Sequence, residues 1–331
     1  VEKVLTETRQ LFDLTGRKIF IAGHNGMVGR SLMRRLEREP VELLTASRAA
    51  LDLTDPRAVD AWMLANRPGI VIIAAAKVGG IHANRTFPVD FLEENLLIQT
   101  NLMRASHRQG VDRLLFLGSS CIYPRDCPQP IREEYLLTGP LEPTNDAYAL
   151  AKIAGLRLVR AYREQHGRRW IAAMPTNLYG PFDNFHPETS HVLPALIRRF
   201  HEAKLAGAGE VVIWGSGTPR REFLHVDDLA DACIHLLKNF DDPAAINIGC
   251  GEDLSIKELA EAIAVVTRFE GSLAFDATRP DGTPRKLLDT SRLAALGWRP
   301  SIALDAGLAS TYAWFREHAA EARGMEKGRA A

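Results

Sequence analysis

The segment that most restricts this chain is Gly23-His24-Asn25-Gly26-Met27-Val28-Gly29, placed directly after the apolar run Lys18-Ile19-Phe20-Ile21-Ala22. A strand, a glycine turn and a helix in that order are the context of a dinucleotide-binding fold. Glycines let the backbone approach a pyrophosphate and let helix pack on strand, while free N–H groups at the helix start attract the anion. Gly23, Asn25, Gly26, Met27, Val28 and Gly29 are therefore expected to cradle a cofactor. The spacing is Gly-x-x-Gly-x-x-Gly, which on its own also suits an ordinary tight turn.

The rest of the first half fits such a fold. Apolar runs at 19–22, 41–44, 70–75, 114–117 and 171–174 read as buried strands. Between them, 26–37, 56–66, 89–109 and 144–166 read as helices, with Asp55-Pro56 as a start signal of N-cap and first-turn proline. This alternation predicts an α/β protein, a Rossmann-type doubly wound parallel sheet with a smaller α/β substrate-binding lobe. The expected division is a cap or tail over 1–16, a cofactor domain over 17–178 joined by 223–250, a substrate lobe from 179–222 and 251–318, and a disordered tail over 319–331.

Bulk properties exclude several function classes. Basic and acidic residues balance at 41 each, so neither nucleic acid nor an anionic membrane is an expected partner. The longest strongly apolar run, 70–76, is far short of the ~20 residues that span a bilayer. No secretory leader pattern opens the sequence, and a cytoplasmic protein is expected. Cys121, Cys127, Cys233 and Cys250 form no Cys-x-x-Cys pair, which suits a reducing compartment. No histidine lies at zinc-ligand spacing, so no metal is expected.

Tyr148 and Lys152 carry the chemistry. Four apart on a helix, they share one face. A lysine beside a phenol favours the phenolate and is expected to lower the tyrosine pKa from near ~10, making Tyr148 a proton donor to a carbonyl oxygen. A serine at a strand end, Ser119 or Ser120, would hold the same oxygen. Cys121 follows at once, and by position alone it reads more readily as a small buried hydrophobe.

With these motifs in place, the chain resembles the GDP-L-fucose synthase branch of the extended short-chain dehydrogenases/reductases over roughly residues 17–316. The resemblance rests on Ala74-Ala75-Ala76-Lys77-Val78-Gly79-Gly80-Ile81, Leu117-Gly118-Ser119-Ser120-Cys121-Ile122-Tyr123-Pro124 and the loop 174–187 with its Asn184-Phe185-His186-Pro187. It extends to 214–228 around Arg220-Arg221-Glu222-Phe223 and to Pro280-Asp281-Gly282-Thr283-Pro284-Arg285-Lys286. What it implies is epimerisation of GDP-4-keto-6-deoxy-D-mannose at C3 and C5, followed by NADPH-dependent reduction at C4. It assigns Ser119, Tyr148 and Lys152 to the carbonyl, and Cys121 and His191 to epimerisation. It also implies that Leu117, Gly118, Pro175, Asn177, Leu178 and His191 contact NADP(H), and that the protein is a homodimer.

Charge supports the same ligands. A GDP diphosphate favours arginine, and Arg199 and Arg221 match the branch, with Trp214 as an apolar wall and Asp281 as a polar contact. Their neighbours Arg198 and Arg220 are expected to be solvated. At the end of the second strand Arg48 favours the NADP 2′-phosphate, while Asp52 resembles an adenine contact. Asn25 stands where relatives often carry arginine, so the preference for NADPH is expected to be modest. A 4-epimerase or 4,6-dehydratase on another nucleotide sugar is the alternative. Dehydratases place Thr-Asp/Glu-Glu near the Ser-Ser segment, which this chain lacks. A non-catalytic dinucleotide sensor is the other, and such proteins lose the tyrosine or lysine that this chain keeps. For the dimer, Leu92, Leu96, Gln99 and Met103 offer a helical stripe.

Overall fold

The computed structural model describes residues 10–187, 189–279 and 281–324. The chain begins β1 (Lys18–Ala22), α1 (Met27–Leu36), β2 (Glu42–Leu44), α2 (Pro56–Asn66), β3 (Ile70–Ile73), α3 (Ile81–Thr86), α4 (Pro88–Arg108) and β4 (Arg113–Leu117). It continues α5 (Asp146–His166), β5 (Ile171–Pro175), β6 (Asn177–Tyr179), α6 (Val192–Leu205), β7 (Glu210–Trp214), β8 (Arg220–Arg221), β9 (Phe223–His225) and α7 (Val226–Asn239). It closes with β10 (Ile246–Ile248), β11 (Leu254–Ser255), α8 (Ile256–Thr267), β12 (Ser272–Asp276), β13 (Arg285–Lys286), α9 (Ser291–Ala295) and α10 (Leu304–Gly324).

Six strands form one parallel sheet in the order β2-β1-β3-β4-β5-β10. Its side chains alternate between two cores. Ile19 and Ile21 face Leu32 and Leu36 of α1 and Leu229, Cys233 and Leu237 of α7. Phe20 and Ala22 face Val59 and Met63 of α2, Leu102 and Met103 of α4, and Ile153 and Leu156 of α5. Strand β3 is buried on both faces, each side chain contributing ~1.5–3 kcal/mol. The fold is thus the doubly wound parallel sheet. Asp55 caps α2 by accepting hydrogen bonds from the N–H groups of Arg57 and Ala58.

A third core gathers Leu196 and Phe200 of α6, Leu259 and Ile263 of α8, and Tyr312 and Phe315 of α10. The strands around it are short and pair across distant segments: β7 with β12, and β8 with β11 and β13. Before β1, Leu14 is buried, and the N–H groups of Leu11 and Phe12 reach the Lys238 carbonyl at the end of α7.

Two expectations change. Helix α10 runs through Ala319 to Gly324, beyond the point where a disordered tail was expected, and as far as Ala319 its inner face packs on the third core. Residues 325–331 of that tail, and 1–9 of the cap, lie outside the described residues. On α4, Gln99 and Met103 are buried within the chain, Gln99 donating to the Ala151 carbonyl of α5 at 2.7 Å. They are not available to a partner. Leu92 and Leu96 are half-buried.

Candidate active site

The glycine turn is fitted to an anion. Gly23 sits at φ +91°, and a Cβ there would lie 2.7 Å from the Ala75 nitrogen. At Gly29 a Cβ would lie 2.1 Å from the Gly23 carbonyl, so only glycine lets α1 start this close to β1. Gly26 is the N-cap of α1 and supplies no side chain to its first turn, which leaves those N–H groups open to a ligand. His24 adds a buried Nδ1 without a partner among the described residues, and Asn25 is exposed. Met27 and Val28 form the first turn of α1. This cradle suits a dinucleotide pyrophosphate.

Arg48 is exposed beyond the end of β2 and makes no hydrogen bond or ion pair among the described residues. Asp52 folds back on its own loop, accepting from the N–H and hydroxyl of Thr54. At the end of the sheet, Gly118 donates to the Ala173 carbonyl, and Pro175, Asn177 and Leu178 lie where β5 passes into β6.

The end of β4 breaks into a single 3₁₀ turn, Ser120–Ile122, capped by Ser119. The Ser119 Oγ accepts from the Cys121 N–H at 3.2 Å, and its hydroxyl is near enough to Tyr148 to favour the phenolate. Ser120 is buried instead. Ser119, Cys121 and Tyr148 therefore meet at one opening.

Lys152 is not hydrogen-bonded to Tyr148. Its Nζ donates to the Leu117 carbonyl at 2.8 Å and lies 5.9 Å from the Tyr148 ring centre. Burial pushes the ammonium pKa down to about 7. Burial also raises the Tyr148 pKa, helped by nearby Cys121 and only partly opposed by the Ser119 hydrogen bond. The expected lowering of the tyrosine is thus reversed, because burial disfavours charge on the phenol and Lys152 is turned to the Leu117 carbonyl instead.

Cys121 behaves oppositely. Burial works against its ionisation, but Lys286, the Ser119 hydroxyl and Arg221 together hold the thiol below its ordinary pKa. The Lys286 ammonium lies 3.6 Å from the sulfur. His191 is the N-cap of α6, yet its ring caps nothing. Surrounding protein and the Lys286 charge keep that ring below the ordinary histidine pKa.

The candidate sugar-nucleotide residues form a neighbouring group. Arg199 donates to the Val212 carbonyl at 2.6 Å, and its guanidinium lies 5.2 Å from the Trp214 ring centre, with Arg279 at 5.0 Å. Asp281 already accepts from the N–H and hydroxyl of Ser216, so it fixes the loop after β7. Arg221 links the two groups, close enough to both Cys121 and Asp281 to feel their charge.

Neither neighbouring arginine is simply solvated. Arg198 is buried, bonded to Glu202 and the Phe185 carbonyl, because its helix position faces the third core. Arg220 is held by Asp253 and Glu258.

Two residues escaped the sequence reading. Lys286 is one. Glu222 is the other: its carboxylate accepts from the N–H groups of Gly251 (2.7 Å) and Leu288 (3.1 Å). Its carbonyl accepts from Asn177 (2.8 Å) and Thr176 (3.3 Å), and its own N–H reaches the Lys286 carbonyl. Both lie inside quoted motifs, but their partners are far away in sequence.

The model of the NAD dependent epimerase/dehydratase family matches residues 19–249. GDP-L-fucose synthase 1 of Arabidopsis thaliana is 56% identical over 315 residues, spanning 95% of this chain and 97% of its own. GDP-L-fucose synthase of Escherichia coli (strain K12) is 53% identical over 321 residues, spanning 94% and 100%. The crystal structure of a GDP-L-fucose synthetase from Naegleria fowleri bound to NADP superposes with a TM-score of 0.86 at 28% identity, over 95% of this chain and 98% of that one.

Proposed function

Because this chain belongs to the NAD dependent epimerase/dehydratase family and groups there with the GDP-L-fucose synthases, we propose that it makes GDP-L-fucose from GDP-4-keto-6-deoxy-D-mannose. The reaction is 3,5-epimerisation followed by NADPH-dependent reduction at C4. One observation carries this reading. A thiol held ready to ionise stands beside a serine–tyrosine pair that is sufficient for a ketone. Simple carbonyl reduction needs no such thiol.

In this reading the C4 oxygen lies against Ser119 and Tyr148. The Cys121 thiolate takes the proton α to the ketone, the C–H electron pair moves to the oxygen as an enolate, and His191 returns a proton on the opposite face. NADPH, when bound, supplies the hydride for C4. Tyr148 then gives its proton to the oxygen, with Lys152 behind it stabilising the phenolate left.

Cofactor contacts are assigned to the glycine turn, to Arg48 at the 2′-phosphate, and to Asp52, Leu117, Gly118, Pro175, Asn177 and Leu178. Arg199, Arg221, Trp214 and Asp281 are assigned to the GDP moiety. Incubation with GDP-4-keto-6-deoxy-D-mannose and NADPH, with NMR of the sugar, tests the whole reading. GDP-L-fucose is expected; a 6-deoxy sugar with C3 and C5 uninverted overturns it.

A homodimer is part of the proposal. The outer faces of α4 and α5 expose Leu97 and Leu150, which a two-fold pairing would cover. Sedimentation at micromolar protein should give twice the chain mass. A cytoplasmic setting suits four cysteines that are all free thiols. No helix among the described residues is long and apolar enough to cross a membrane.

A further inference from the structure

We propose that Lys286 is the positioning residue that keeps Cys121 ionised, delivering from the smaller lobe the charge that makes the thiol a base. The inference rests on the reading of Cys121 as the epimerisation base, and it concerns a residue 165 positions away.

Lys286 is half-buried on the two-residue strand β13, and its ammonium forms no ion pair among the described residues. Its hydrogen-bond partner is the Cys121 sulfur, at 3.6 Å. A partly desolvated ammonium normally seeks a carboxylate. The carboxylates nearby are engaged elsewhere. Glu142 is held by Thr144, Thr283 and Arg125, and Asp253 by Arg220 and Arg285. The remaining charged or titratable groups facing the sulfur are Arg221 on β8, in register with Lys286, and Tyr148 on α5. Arg221 is tied to the Arg220 carbonyl and weighs less on the thiol than Lys286 does. Lys286 therefore supplies the dominant positive charge. The same charge bears on His191, so one cation biases both members of the acid–base pair.

Its backbone is fixed as firmly as its charge. The Lys286 carbonyl accepts from the Glu222 N–H, and Leu287 donates to the Gln129 side chain. The side chain is thus presented from a strand held at both ends.

The test is iodoacetamide alkylation of Cys121, read by mass spectrometry of its peptide from about pH 5.5 to 10. In the wild type the rate midpoint should lie below that of a free thiol, about 8.5. Lys286→Met should move the midpoint up and slow alkylation near pH 7 by about 3-fold or more. Loss of thiolate is partly offset by the greater nucleophilicity of a more basic sulfur. Lys286→Arg should keep the wild-type midpoint. An unchanged midpoint in Lys286→Met, with normal NADPH binding, overturns the proposal. If that variant does not fold, the wild-type midpoint decides, and a value at or above that of the free thiol overturns it. Substrate C–H exchange by wild type in D₂O separates the two readings. A shifted midpoint without exchange upholds the charge pairing and removes Cys121 from epimerisation.

Discussion

The Lys152 ammonium lies 2.8 Å from the Leu117 carbonyl oxygen, bridging the middle of α5 to the last residue of β4. The lysine is buried and has no carboxylate partner among the described residues, and its pKa falls to about 7 against 10.5 for the free group. Between those values the unfolded chain holds the proton that the folded one has released, so this group makes stability rise with pH. Its penalty is fully present below about pH 7 and fades towards pH 10. Lys152→Met should therefore stabilise the protein by roughly 1–4 kcal/mol at pH 6, the unpartnered Leu117 carbonyl taking back part of the gain. Urea denaturation at pH 6 and pH 9.5 checks this, and an advantage that grows with pH contradicts it.

Tyr148→Phe removes the acid without disturbing the glycine turn or Arg48. NADPH should bind near normally while kcat falls by about 10²-fold or more, the range for a positioned proton donor. Titration of bound NADPH by fluorescence, beside steady-state turnover, reads both. Near-normal turnover would take the tyrosine out of the mechanism.

Arg48→Ala should erase the preference for NADPH over NADH. One charge-assisted hydrogen bond is worth roughly 1.5–3 kcal/mol, or about 10–150-fold in kcat/KM. The NADH value should hardly move, since Arg48 has no other partner among the described residues to lose. A loss shared equally by both cofactors counts against the assignment.

Cys121→Ser should uncouple the two halves of the reaction. In D₂O without NADPH, wild type should label C3 and C5, whereas the variant should label neither appreciably, because a hydroxyl is a far weaker acid than a thiol near ~8.5. Slow NADPH oxidation should persist through Tyr148 and give an unepimerised 6-deoxy sugar. Full labelling by the variant would eliminate the cysteine as base.

The sheet was legible because its signals are local. The runs at 19–22 and 114–117 are continuous apolar stretches, and Asp55-Pro56 and Gly26 mark helix starts within a residue or two of the observed ones. Strands β8, β11 and β13 were not legible. Each has two residues, and their pairing joins segments more than thirty positions apart, so no periodicity betrays them. The same distance hid Lys286, which means nothing beside Pro284 and Arg285 until the fold brings it to Cys121. Arg198 misled for the opposite reason: its charge suggests solvent, while its place on α6 turns it towards the Phe185 carbonyl of the preceding loop, beside Glu202, and buries it. The Tyr148–Lys152 spacing was read as attraction, and only burial revealed that both groups resist charging.

Glu222 joins segments that would otherwise answer to different ligands. Thr176 and Asn177 hang from its carbonyl, Gly251 and Leu288 from its carboxylate, and Arg221 precedes it in the chain. A wedge driven into this junction would slacken the end of β5, the loop after β10 and the strand that carries Arg221 in one movement. One side chain and its backbone thus pin three distant segments to the strand that carries Arg221, so none of them can shift without the others.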